Sequence, residues 1–114
     1  MKGPLSDKIR IQHILDAIAE VDKYPAGVSF EDYLNNSEKR YATVKQIEIV
    51  GEACHHLSAE LKQENSDIEW VPINGFRNIS IHEYFGVNFQ IVWEIAKNDL
   101  PLLKQKFIKI LLGL

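Results

Sequence analysis

The chain has one cysteine, Cys54, so no intrachain disulfide can brace it. It lacks an excess of positive charge: the formal net charge is -3. That excludes a broad basic surface of the kind that grips duplex DNA, and restricts any RNA contact to a few Arg and Lys residues. No apolar run is long enough to span a bilayer. The opening Met1-Lys2-Gly3-Pro4 leads into a charged amphipathic segment rather than a secretory h-region, which predicts a cytoplasmic protein without a membrane partner. No Gly-rich phosphate loop occurs, so the chain is not expected to be a nucleotidyltransferase itself. No repeat or linker divides the 114 residues, which are read as a single domain, 1–114.

Strand patterning is absent too. No segment alternates with period two, while apolar residues recur in steps of three and four nearly throughout. Ser6-Asp7 predicts a helix start ahead of Ile11, Ile14, Leu15, Ile18 and Val21, and Pro25 with Gly27 a stop. A short helix is expected after Ser29. A long one is expected over about 38–64, with Ile47, Val50, Cys54, Leu57 and Leu61 as its seam and Gly51 beside that seam, allowing close approach. Another is expected over about 74–85, closed by Gly86, followed by a final region capped by Asn88. Asp99 and Pro101 predict a kink or restart there, with Asp99 as N-cap. The predicted fold class is all-α, an antiparallel bundle of four to five helices. The last region carries a second apolar set, Ile91, Ile95, Leu102, Ile108 and Leu112. Deep burial in the monomer and a homodimer interface both account for such a set; the dimer is the favoured expectation.

The densest chemistry lies in Arg77-Asn78-Ile79-Ser80-Ile81-His82-Glu83-Tyr84. A histidine titrates near neutrality, at about 6.5 when unperturbed. A guanidinium is a permanent cation shaped for phosphate. Together they fit acid–base cleavage of a phosphodiester, with Arg77 stabilising charge on the non-bridging oxygens. On an ideal helix Asn78 and His82 share a face, whereas Arg77 and His82 diverge by about 140°. Convergence on one phosphate then needs a bent arginine, a loosened helix, or a site shared across a dimer. By residue type alone, Arg, His and Tyr near a helix end fit capping and surface roles better than a site. Glu52 and His56 stand four apart, a spacing that can hold a metal, but no further ligand follows and no metal site is expected. Glu52 is read as a supporting residue behind the active stretch, and Cys54 as a buried apolar residue.

The stretch resembles the Arg-x4-His-x-Tyr motif of HepT-like proteins, a branch of the HEPN superfamily. Arg40-Tyr41, Gly51-Glu52-Ala53, Trp70-Val71-Pro72, Gly75-Phe76-Arg77-Asn78, His82-Glu83-Tyr84-Phe85-Gly86, Val92-Trp93-Glu94-Ile95 and Asp99-Leu100-Pro101-Leu102 extend the likeness over nearly the whole chain. The resemblance implies a homodimeric helical bundle and a metal-independent endoribonuclease. It implies a toxin of a type II toxin–antitoxin pair, neutralised by a minimal nucleotidyltransferase that transfers AMP from ATP to the motif tyrosine. By position Arg77 and His82 correspond to the catalytic pair, Tyr84 to the modified residue, and Asn78 to the polar position after the arginine. ATP would serve the partner; no cofactor is expected in this chain. The x4 segment here, Asn-Ile-Ser-Ile, departs from the bulky or basic residues common in the family and lowers local positive charge. The alternative function is a non-catalytic HEPN module that docks a nucleotidyltransferase or binds a nucleotide.

Overall fold

The computed structural model describes residues 4–24, 28–78 and 88–114. Among these the chain is helical, with no strand, in agreement with the all-α expectation. Helix α1 (Pro4–Lys23) opens two residues before the predicted Ser6. Pro4 suits a first helical position, where an N–H would have no intrahelical acceptor. The helix ends at Lys23; the expected stop at Pro25 and Gly27 lies outside the described residues.

Ser29 begins α2 (Phe30–Leu34) by accepting a hydrogen bond from the Asp32 amide at 3.1 Å. Asn36 caps α3 (Ser37–His55) in the same way through the Lys39 amide, 3.0 Å. The predicted single helix over 38–64 is two helices. It stops at His55, and α4 (Ala59–Glu64) restarts after Ser58, whose extended backbone and hydroxyl cap the Leu61 amide at 3.2 Å. The apolar seam survives the break because Leu57 and Leu61 both remain buried. Asp7 supplies the reason for the position of the break. It is no helix cap but a buried carboxylate that accepts from the Ser58 amide (2.9 Å) and hydroxyl (2.6 Å), tying α1 to the α3–α4 junction.

Helix α5 (Trp70–Gly75) starts four residues before the expected Asn74, with Pro72 inside its first turn. It tightens into a 3-10 turn, Phe76–Asn78. Asn88 caps α6 (Phe89–Glu94) through the Ile91 amide, 3.2 Å, as expected. There is no restart at Asp99. The chain passes through a π-turn, Ile95–Asp99, into α7 (Leu100–Leu112); Asp99 has helical backbone angles and its side chain caps nothing. A wide turn ahead of Pro101 accommodates a residue without an N–H while the helix continues.

Helix α1 packs against α3 and α7, and α3 also carries α5 and the 3-10 turn. Ile11, Ile14 and Ile18 meet Ile47 and Val50 in a core closed by Val92, Leu100 and Phe107, all fully buried. Of the second apolar set, Ile95 belongs to this core. Ile91, Leu102, Ile108 and Leu112 do not, and remain 39–83% exposed. No helix among the described residues is long and apolar enough to cross a membrane.

Candidate functional site

Gly51 builds the site by what it omits. It lies buried on α3, where the 3-10 turn crosses. A Cβ there would stand 2.7 Å from the Arg77 backbone nitrogen and 2.8 Å from Phe76 Cβ, closer than atoms tolerate. Only a residue without a side chain lets the turn lie directly on the helix. The next residue then faces the turn: Glu52 Oε2 accepts from Arg77 Nε at 2.9 Å. Its other oxygen, Oε1, lies 2.9 Å from His56 Nε2, one helical turn further along α3. One carboxylate therefore joins an arginine brought in by tertiary structure and a histidine set by helix spacing.

The Arg77 guanidinium, with His56 adding to it, holds the Glu52 carboxyl below its ordinary value of 4.5. Glu52 is accordingly an anion at neutral pH. The sign of the linkage is that of a depressed carboxylate: the pair is intact above the ordinary value and is lost as pH falls through the lowered one. Arg77 is 29% exposed and Glu52 54%, so solvent screens the attraction and its role is to aim the guanidinium more than to stabilise the fold. A guanidinium held through Nε is of the fork geometry that binds phosphate oxygens.

Further residues extend the cluster. His55 Nδ1 lies 3.1 Å from Asn74 Oδ1, linking α3 to α5 just ahead of Arg77. The His55 and His56 rings meet edge to face at 5.2 Å. Cys54 is buried, and desolvation pushes its thiol up to about 12, which makes it a packing residue and no nucleophile.

The structure brings together Arg77 and Glu52, the predicted supporting carboxylate. Asn78 shares the 3-10 turn with Arg77. His82 and Tyr84, together with the predicted helix end at Gly86, lie outside the described residues. Arg77 stands on a 3-10 turn, and its angle to His82, expected at about 140° on an ideal α-helix, lies outside the described residues. In the sequence reading His56 has no part in a site. The signal was present as the Glu52–His56 spacing, taken there only as a weak metal pattern; it is a hydrogen-bonded pair. Among the described residues no cluster of three or more metal-ligating side chains occurs.

Residues 14–110 match the family described as Ribonuclease HepT-like. The chain belongs to the HepT-like ribonuclease family. Among its relatives is a protein of Caldanaerobacter subterraneus subsp. tengcongensis named "Putative RNase TTE0752", 37% identical, with 89% of this chain and 90% of the relative covered. Another, from Thermococcus cleftensis, is named "Probable ribonuclease HepT"; it is 32% identical over 92% of this chain and 96% of its own length. A third, "Putative RNase MJ1380" of Methanocaldococcus jannaschii, is 30% identical over 87% and 91%. No solved structure matches the chain. The Glu52–Arg77 clamp thus belongs to a ribonuclease-family bundle, and it holds the arginine that opens the family-like motif.

Proposed function

We propose that this chain is a metal-independent endoribonuclease, the toxin of a type II toxin–antitoxin pair. Arg77 and His82 are its catalytic pair, and Asn78 and Glu52 support them. The observation that carries the reading is the Arg77–Glu52 contact at 2.9 Å in a chain of this family, since a carboxylate on α3 aims a phosphate-binding group. In the reaction a base removes the proton of a ribose 2′-OH, and the 2′ oxygen attacks phosphorus. The bond to the 5′ oxygen breaks, and that oxygen leaves with a proton. The products are a cyclic phosphate and a 5′-OH end. His82 exchanges protons; Arg77 takes the charge that builds on the non-bridging oxygens.

The antitoxin in this reading is a minimal nucleotidyltransferase. The Tyr84 phenol oxygen attacks the α-phosphorus of ATP, pyrophosphate leaves, and the phenolic proton is lost. AMP placed two residues from His82 would compete for Arg77 and obstruct RNA. The active form is a homodimer, for which the four exposed apolar residues on α6 and α7 supply a surface.

RNA cleavage in the presence of a chelator tests the activity. His82→Ala is expected to lower kcat by roughly 10²–10⁴ at unchanged fold, and Arg77→Ala to lower it as well. Cleavage that survives both substitutions, or depends on added metal, contradicts the assignment. No cleavage by the wild type, with binding to the partner retained, favours the docking module instead. Intact-mass measurement after incubation with the nucleotidyltransferase and ATP is expected to show AMP on Tyr84, and no addition in Tyr84→Phe.

A further inference from the structure

The Arg77–Glu52–His56 cluster continues into a cavity of about 260 Å³, lined by Cys54, His55, Lys62, Trp70, Val71 and Asn74. His55 and Asn74 form both the wall of this cavity and the edge of the cluster, through their 3.1 Å contact. Two other cavities of about 280 and 320 Å³ carry carboxylates in their walls: Asp67, Glu69 and Asp99 in one, Asp7, Glu60 and Glu64 in the other. Each of the three has one lysine, Lys62 in the first against Lys106 and Lys109 in the others, but the cavity lined by His55 and Asn74 carries no carboxylate. In a chain of net charge -3, that difference decides where a polyanion meets least repulsion.

The remaining walls suit a base. Lys62 Nζ stands 5.9 Å from the centre of the Trp70 ring. Trp70 is half-buried and fixed, its indole N–H donating to the carbonyls of Lys62 and Asn65. Val71 beside it is 85% exposed, an apolar surface with no cover in the monomer. A rigid aromatic edge, an exposed aliphatic group and a cation are the components with which single-stranded nucleic acid is held. The volume lies just below the usual range of about 300–1,000 Å³ for small-molecule sites, which fits one nucleotide unit and no more.

We propose that this cavity is the subsite for one nucleotide of the RNA strand, adjacent to the phosphate held at Arg77. Lys62 meets its phosphate, Asn74 offers an amide to its polar edge, and Trp70 with Val71 supports the base. The inference rests on the ribonuclease reading above and adds the path of the strand, along α4 and α5 toward the 3-10 turn.

The test uses a fluorescein-labelled, fully 2′-O-methylated oligoribonucleotide, which lacks the free 2′-OH needed for cleavage. Its binding is followed by anisotropy. Lys62→Glu is expected to weaken Kd by roughly tenfold or more. Lys106→Glu makes the same change in charge at the acid-lined cavity and is expected to have a much smaller effect. Asn74→Ala, an exposed position, is expected to weaken binding with an unchanged circular dichroism spectrum. Free AMP is expected to compete far more weakly than the strand. Equal weakening by the two lysine variants reduces the effect to overall charge and overturns the subsite. So does unaltered binding in Lys62→Glu and Asn74→Ala, or competition by AMP as strong as the strand's. In all three cases wild-type cleavage of unmethylated RNA would persist, and the ribonuclease reading would stand. A wild type that neither binds the methylated strand nor cleaves the unmethylated one overturns both.

Discussion

Gly51 and Glu52 are neighbours on α3 with opposite tasks: one makes room for the turn bearing Arg77, the other holds it. Gly51→Ala places a methyl group against backbone, the Arg77 nitrogen at 2.7 Å, where no flexible side chain can give way. The expected result is a loss of about 1–3 kcal/mol in urea unfolding, the usual cost of overpacking, together with reduced RNA cleavage as Arg77 moves off Glu52. An alanine variant equal to the wild type in both measurements would mean that the turn is not held where the structure places it. The need for a small residue was legible in the sequence, because Gly51 interrupts a helical pattern that would otherwise favour alanine. Its partner was not legible. Arg77 is twenty-five residues away, and nothing in a helical period specifies which distant turn will cross at a glycine.

Among the elements, α3 and α4 show how a local cap overrides a long pattern. The three-four seam runs unbroken from Ile47 to Leu61 and predicts one helix. Ser58 ends it by bonding the Leu61 amide and by donating to Asp7 on α1. Ser58→Ala removes a helix cap and also a partner of a buried carboxylate. The expected loss is about 2–4 kcal/mol, read as a lowered urea midpoint. A double-mutant cycle with Asp7→Ala is expected to be non-additive, since the two side chains act through one contact. The caps at Ser29 and Asn88 were readable because each serves its own helix. Ser58 was not, because its second partner comes from another helix. Likewise, Asp99 looked like a cap beside Pro101, but the helix widens into a π-turn and carries on. The packing of Ala96 and Leu100 into the core on either side favours continuity over a break.

For the whole molecule, the question is what covers Ile91, Leu102, Ile108 and Leu112. These side chains lie on α6 and α7, and the monomer leaves them in water. In a homodimer they would be buried, each contributing roughly 1.5–3 kcal/mol if fully covered. Sedimentation over a range of concentrations is expected to give twice the 13.1 kDa chain mass. Leu102→Glu with Leu112→Glu is expected to shift it toward the monomer with helicity retained. A monomeric wild type at all concentrations removes the dimer from the proposal. By itself the amino-acid sequence determined the helical class, the caps at Ser29 and Asn88, the apolar seams and the Arg-x4-His-x-Tyr motif. All of these depend on residues within a few positions of one another, where covalent geometry and helical period dictate neighbours. Only the tertiary structure decided that Glu52 holds Arg77, that Asp7 ends a helix fifty-one residues away, and that the carboxylate-free cavity opens beside the site. Those contacts arise from packing between distant segments, which side-chain volume and burial select and local periodicity does not encode.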